Sequence, residues 1–409
     1  MQPIDYNALS LKASSVFTPG APISSDHLFA GRLPEIARLV DAINQRGLHA
    51  VLYGERGVGK TSLANILSAR WKGLGYIIAP RIGCLSSDSY AGLWRKALRE
   101  IKITVATTRA GFRTDSSVAQ MNLEDSLPER FTTDDVRRVL GTIGSDAVLV
   151  LIFDEFDLLK ALTRKAMAEA VKLFSDYAVP VTLILVGVAD SIGDLLRDHR
   201  SIERALVQVR MPRMSDPELL QIIENGVATL NMTISATASS RITSLSRGLP
   251  HYTHLLARHA ARCALKRQSL DIEGGDVEVA VTAALQDAQQ STIEGYVEAT
   301  KSAQTDNLYR QVLLACALAP TNELGFFSAG AVSEPLSDIM GRKYDVPSYA
   351  RHLKEFCSTK RGHVLERIGQ TRNFRFRFSN PLMQPYVILK GYSGKLISVP
   401  VVEPQLAPQ

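Results

Sequence analysis

Gly54-Glu55-Arg56-Gly57-Val58-Gly59-Lys60-Thr61 is the stretch whose reading decides the rest of the chain. The octet fits G-x-x-x-x-G-K-[ST], a loop whose glycines let consecutive backbone N–H groups curl around phosphate oxygens. Lys60 supplies a movable positive charge for the outer phosphates and Thr61 a hydroxyl for Mg²⁺. The helix that begins there turns its positive end toward the anion. Gly54, Gly57, Val58, Gly59, Lys60, Thr61 and Ser62 are therefore candidate nucleotide-binding residues, with ATP and Mg²⁺ the expected ligands. The flanks agree, since His49 to Tyr53 reads as a short buried strand and Thr61 to Leu67 as the start of an amphipathic helix.

A second strand, Ala147 to Phe153, is apolar on both faces and ends in Asp154-Glu155-Phe156-Asp157. Asp154 is placed to hold Mg²⁺ through water. Glu155 is placed to orient and deprotonate an attacking water, so hydrolysis is expected rather than binding alone. A third core strand, Val181 to Val188, leads into Asp190, which either senses the terminal phosphate or caps the following helix. Arginines 197, 200, 204, 210 and 213 surround an edge strand from Ala205 to Met211, and one of them could reach a neighbouring subunit's phosphate.

Composition bounds what surrounds this core. The 409 residues, 45% hydrophobic, give room for two or three globular domains. Cys84, Cys263, Cys316 and Cys357 lie far apart with no C-x-x-C pair, which argues for a reducing cytosol and against zinc or a disulfide framework. The longest apolar runs are too short to cross a bilayer. The start lacks a signal-peptide pattern. A cytoplasmic protein with no membrane partner is expected. Of the net charge of +6, the segment from Arg342 to Lys390 carries eleven Lys/Arg against three Asp/Glu, which suggests a local anionic partner.

Along the chain, 1–25 reads as a loose lead-in punctuated by Pro19, Gly20 and Pro22, and 26–213 as the P-loop core. Thr104 to Phe131 reads as a polar surface excursion. Residues 214–290 read as a helical lid opened by the capping box Ser215-Asp216-Pro217-Glu218. His251 and His254 share a helical face there, too few ligands for a metal. Residues 291–306 read as a linker and 397–409 as a tail. Residues 307–396 give three helices and a basic hairpin, His363 to Ile368 and Arg372 to Phe378, the winged-helix pattern. Phe374, Phe376 and Phe378 alternate with Arg375 and Arg377, so the arginines are expected to project. Arg351, Lys354, Arg372, Arg375 and Arg377 are the candidate DNA contacts. A winged helix that docks protein through a solvated basic face is the alternative.

The combined pattern resembles the AAA+ family, and within it the origin-recognition and replication-initiator clade. Phe29-Ala30-Gly31-Arg32 with Glu35 is similar to that clade's F-x-G-R-x-x-E box, which implies that Phe29, Gly31 and Arg32 lie near adenine. Gly54 to Thr61 resembles Walker A, and Asp154-Glu155-Phe156-Asp157 resembles Walker B. Asp190 stands where the family usually has a sensor 1 Asn. The resemblance implies an arginine finger, assigned to Arg204 with Arg200 second. Gly248-Leu249-Pro250-His251 replaces the clade's G-D-x-R and looks like the G-L-P of STAND NTPases, which places Pro250 and His251 at the nucleotide. The implied fold is α/β, a P-loop NTPase (AAA+) parallel sheet with a helical lid and a C-terminal winged-helix domain. Two functions remain: an ATPase that forms homo-oligomers on double-stranded DNA, regulating replication, transposition or a mobile element, or a STAND-like switch controlling an effector protein.

Overall fold

The computed structural model describes residues 4–23, 25–108, 116–143, 148–188, 200–304, 307–322, 324–370 and 373–398. Asp190 and Arg372 lie outside them.

Order begins earlier than the Pro/Gly punctuation implies. Helix α1, Tyr6–Val16, is capped by the Asp5 carboxylate, which accepts from the Asn7 and Ala8 N–H groups. It buries Ala13, Val16 and the following Phe17. The Phe17 ring lies where a Cβ on Gly226 would sit, so only glycine at 226 admits it. The lead-in is thus part of the core, a correction to the reading of 1–25.

Helix α2, Leu33–Ile43, precedes β1, His49–Gly54, and the loop then opens α3, Lys60–Gly73. Next come β2 (Ile77–Ile78), β3 (Arg81–Gly83) and α4 (Tyr90–Arg99). The polar excursion is a hairpin, β4 (Lys102–Thr108) against β5 (Ser116–Asn122), paired from Lys102↔Asn122 to Thr108↔Ser116. Helix α5, Thr133–Gly141, follows a Thr132/Asp135 capping box. Then come β6 (Val148–Asp154), α6 (Ala161–Asp176), β7 (Val181–Val188) and β8 (Leu206–Met211).

The central sheet is parallel, in the order β2-β6-β7-β1-β8, and β3 continues the β2 edge along β6. A parallel sheet must be covered on both faces, which explains the unbroken apolar runs of β6 and β7. Leu93, Trp94, Val136, Met167 and Phe174, from α4, α5 and α6, fill one side with Leu149, Leu151 and Phe153. Ala50, Leu52, Val150, Ile152, Ile184 and Val186 face the other.

That second face belongs to a larger core. It continues through α7 (Asp216–Thr229), α8 (Ala236–Ser246), α9 (Pro250–Lys266) and α10 (Gly274–Gln286) into the C-terminal region. The short strands β9 (Thr233–Ile234) and β10 (Asp271–Ile272) tie the helical layer together. The expected linker is mostly helix: α11, Gln290–Thr300, buries Thr292, Ala299 and Thr300. Beyond it lie α12 (Tyr309–Leu318), β11 (Phe327–Ser328), α13 (Ser333–Met340) and α14 (Val346–Phe356). β12 (Leu365–Ile368), β13 (Arg375–Phe378) and α15 (Met383–Ser393) complete the region. Its antiparallel sheet runs β11-β13-β12. Among the described residues no helix is long and apolar enough to cross a membrane.

Candidate nucleotide site

Strand β1 delivers the phosphate-binding loop at the carboxyl edge of the sheet, where β6 and β7 also end. Gly57 (φ 87°) and Gly59 (φ 96°) adopt left-handed backbone, which turns the loop and starts α3. The Lys60 ammonium donates to the carbonyls of Gly54 (3.1 Å) and Glu55 (2.7 Å). Burial pushes it down to about 8, opposed by the carboxylates of Asp157, Asp154 and Glu55.

Thr61 Oγ1 lies 3.4 Å from Asp154 Oδ1, so the hydroxyl and carboxylate expected to share Mg²⁺ are adjacent. Both are hard oxygen donors, and one carboxylate completed by phosphate oxygens suits this cation. Among the described residues no cluster of three His, Cys, Asp or Glu could hold a metal by itself. The other oxygen, Asp154 Oδ2, accepts from Arg81 Nη1 at 2.8 Å, a contact the sequence did not announce. Glu155 is exposed, with left-handed backbone (φ 57°), and its N–H donates to Asp154 Oδ1.

A cavity of about 490 Å³ joins these groups. Its walls include Phe29, Arg32, Gly57, Val58, Gly59, Lys60, Thr61, Ser62, Asp154, Glu155, Pro250 and His251, so most of the expected nucleotide residues converge. Gly31 and Gly54 stand behind the wall: the Gly31 N–H donates to Gln221 Oε1, and Gly54 packs against Met211. Arg32 is buried and donates from Nη2 to the Val58 carbonyl at 2.9 Å, with Glu35 3.5 Å from Nη1. It braces the loop from below. Glu218 caps α7 with one carboxylate oxygen and accepts the Arg32 N–H with the other, joining the Phe29–Arg32 box to the helical layer.

Pro250 opens α9. His251 Nδ1 lies 2.7 Å from the Pro19 carbonyl, which can only accept, so Nδ1 carries the proton. The segment 18–23 therefore straps across the cavity, held at its other end by Ile23 N–H donating to Ser62 Oγ. Further wall residues passed unnoticed in the sequence. Asp157 was visible only as part of the acidic motif. Arg56 is exposed and has no ion-pair partner among the described residues. Leu382 comes from the C-terminal region, 3.0 Å from where a Cβ on Gly57 would sit.

Arg204 is not in this wall. It lies on the turn before β8, exposed, 3.4 Å from Asp176 Oδ1. In the C-terminal region Arg351, Lys354 and Arg375 are exposed, and Arg351 pairs along its helix with Glu355 at 2.7 Å. Arg377 departs from expectation: it is half-buried, paired with Glu366 at 2.7 Å and laid over the Phe326 ring at 4.7 Å. The cause is register, because Glu366 stands directly across from Arg377.

Residues 28–185 match the family model described as AAA ATPase domain. No curated protein matches the chain in sequence. Among solved structures, the Aeropyrum pernix ORC2 protein in ADPNP–ADP complexes is 14% identical and covers 93% of this chain and 96% of its own, with a TM-score of 0.52. A Walker-type ATPase of Pyrococcus abyssi is 17% identical, covers 91% of this chain and 99% of its own, and has a TM-score of 0.51. Identities this low speak for the fold alone: the chain has the α/β P-loop fold of AAA+ proteins.

Proposed function

We propose that this chain binds and hydrolyses ATP with Mg²⁺ and, in its ATP state, assembles with copies of itself on double-stranded DNA. The observation that carries the reading is the single cavity lined by Lys60, Thr61, Asp154 and Glu155. In it Lys60 leaves the carbonyls of Gly54 and Glu55 for the outer phosphates. Thr61 and Asp154 would hold Mg²⁺, which would supply neutralisation of the phosphate charge. Glu155 holds the attacking water and accepts its proton. The exposure of Arg204 suits a finger acting on a neighbour's phosphate.

DNA binding is supported by the concentration of charge from Arg342 to Lys390 and by the exposure of Arg351, Lys354 and Arg375 on what we read as a winged helix. The biological setting would be replication, transposition or a mobile element. Lys60→Ala should abolish ATP binding, and Glu155→Gln should bind ATP but turn it over roughly a hundred- to ten-thousand-fold more slowly. Equilibrium binding of labelled ATP and steady-state phosphate release test both. Unchanged affinity in Lys60→Ala would remove the reading.

One observation favours a second reading, a nucleotide-controlled switch acting on an effector protein. Leu382 of the C-terminal region lines the cavity, and Arg213 bridges Glu55 of the phosphate loop to Gln384 of α15. Duplex-DNA binding at low salt separates the two readings, since the switch does not require it.

A further inference from the structure

Three Lys or Arg side chains stand in the cavity wall, Arg32, Arg56 and Lys60. Two of them are committed. Arg32 is buried and donates to the Val58 carbonyl at 2.9 Å, with Glu35 3.5 Å from Nη1. Lys60 donates to the carbonyls of Gly54 and Glu55. Arg56 is exposed and has no ion-pair partner among the described residues. The carboxylate beside it in sequence is taken elsewhere, because Glu55 stands outside the wall with Oε2 2.7 Å from Arg213 Nε. Asp154 is engaged in the same way by Arg81 at 2.8 Å.

Position on the loop says which part of a nucleotide Arg56 meets. It occupies the third place of the octet, on the turn just before the left-handed Gly57. The Lys60 ammonium folds back to Gly54 and Glu55, the two residues before Arg56, so both cations gather at one end of the loop. Burial is the main cause that pushes Lys60 down to about 8, and the Arg56 charge adds to it. Two like charges facing one cavity repel until a polyanion enters, and the outer phosphate carries the most charge. Glu155, which holds the attacking water in the reading above, is in the same wall. A guanidinium also offers a planar fork of donors that fits two oxygens of one phosphoryl group.

Resting on the nucleotide-site reading above, we infer that Arg56 is a further catalytic residue, binding the γ-phosphoryl group of its own chain's ATP as that group is transferred. In that step the water oxygen bonds to the γ-phosphorus and its proton passes to Glu155. The bond from phosphorus to the β–γ bridging oxygen breaks, its electron pair leaving on ADP. Charge spreads over the three equatorial oxygens, and Arg56 neutralises it there. Each chain thereby carries one transition-state cation of its own, distinct from Arg204, which is exposed outside the wall and 3.4 Å from Asp176.

The test compares wild type, Arg56→Ala, Arg56→Lys and Lys60→Ala by steady-state hydrolysis, by nucleotide binding and by trapping of ADP with aluminium fluoride, a mimic of the transferred group. Arg56→Ala should lower kcat on the order of a hundred- to a thousandfold with KM nearly unchanged. It should also lose fluoride trapping and keep wild-type ADP affinity. Arg56→Lys, which keeps the charge without the fork, should hold an intermediate rate. Equal losses of ADP and ATP binding in Arg56→Ala would mean a structural role in the loop and overturn the inference. Undiminished kcat would overturn it as well. So would rescue: if mixing Arg56→Ala with Lys60→Ala restores turnover, Arg56 serves a neighbour's site rather than its own. Lys60→Ala separates the two levels, since loss of ATP binding there supports the nucleotide site whatever Arg56 does. If wild type binds neither nucleotide, both readings fall together.

Discussion

Arg213 Nε lies 2.7 Å from Glu55 Oε2, which joins the chain leaving β8 to the phosphate-binding loop itself. The same guanidinium donates to Gln384 Oε1 at 2.6 Å, and Gln384 Nε2 donates to the Ala317 carbonyl at 2.7 Å. Loop, strand end, α12 and α15 are thus connected through three polar side chains with little access to water. A buried network of this kind is stable only when every member is paired.

Gln384→Ala should therefore loosen the C-terminal helices as well as lower stability. Arg213 keeps Glu55 and the Arg247 carbonyl but loses one acceptor, and the Ala317 carbonyl loses the Gln384 donor, which together cost about 1–3 kcal/mol. Hydrogen exchange should show faster opening of 383–393, and ATP should no longer alter protection there. Wild-type exchange in both states would show that the connection carries no coupling.

Arg81 competes for the carboxylate that would hold Mg²⁺. Its guanidinium is about a third exposed, so the pair with Asp154 contributes roughly 0.5–1 kcal/mol. Arg81→Ala should tighten the apparent Mg²⁺ affinity of the ATP complex by about two- to fivefold. A Mg²⁺ titration of bound fluorescent ATP measures this without reference to turnover. Weaker Mg²⁺ binding in the variant would mean that Arg81 instead orients Asp154.

How much of this was legible follows from where each signal lives in the chain. The phosphate loop, Asp154 and Glu155 were legible because their geometry is local: strand, turn and helix are consecutive in sequence. Helix α11 was not, because Gln290, Ser291 and Glu294 make it polar and only a narrow face, at Thr292 and Ala299, is buried. α1 was obscured by the turn residues after it, and its anchor, Phe17 against Gly226, is a distant contact. The strap was invisible for the same reason, since Pro19 meets His251 across the fold. Arg377 was assigned to solvent by alternation alone, and only cross-strand register shows that Glu366 takes it up. The Thr132/Asp135 capping box was there to be read and passed unused.

Acid should destabilise the sheet through His49. Its Nδ1 accepts the Leu183 N–H at 3.0 Å, joining β1 to β7 inside the core. Burial pushes its pKa down to about 4, below the unfolded value. The unfolded chain therefore takes the proton first. The stabilisation is complete above about pH 6.5 and is lost progressively as pH falls toward 4, by up to roughly 3 kcal/mol. His49→Asn, which can still accept from Leu183, should flatten urea-derived stability between pH 7 and pH 5. An equal slope in the variant would place the acid sensitivity elsewhere, with His254 the next group to examine.

The basic face gives the last prediction, because the structure divides two arginines that the sequence treated alike. Arg375 is exposed on β13, whereas Arg377 is held by Glu366 and the Phe326 ring. A phosphate contact releases counterions, so affinity for duplex DNA should fall steeply as salt rises. Arg375→Ala should reduce the slope of log affinity against log salt by about one and weaken all sequences similarly. Arg377→Ala should leave that slope nearly unchanged. Its cost should appear as lower stability of the C-terminal sheet, because the variant uncovers Phe326 and strands Glu366. Any base preference should respond to Arg351→Ala and Lys354→Ala on α14, since base edges are read by a helix in the major groove. ATP should tighten binding where assembly presents several such faces to one duplex. Absence of duplex binding by the wild type at low salt, with and without ATP, would end the DNA reading and leave the switch.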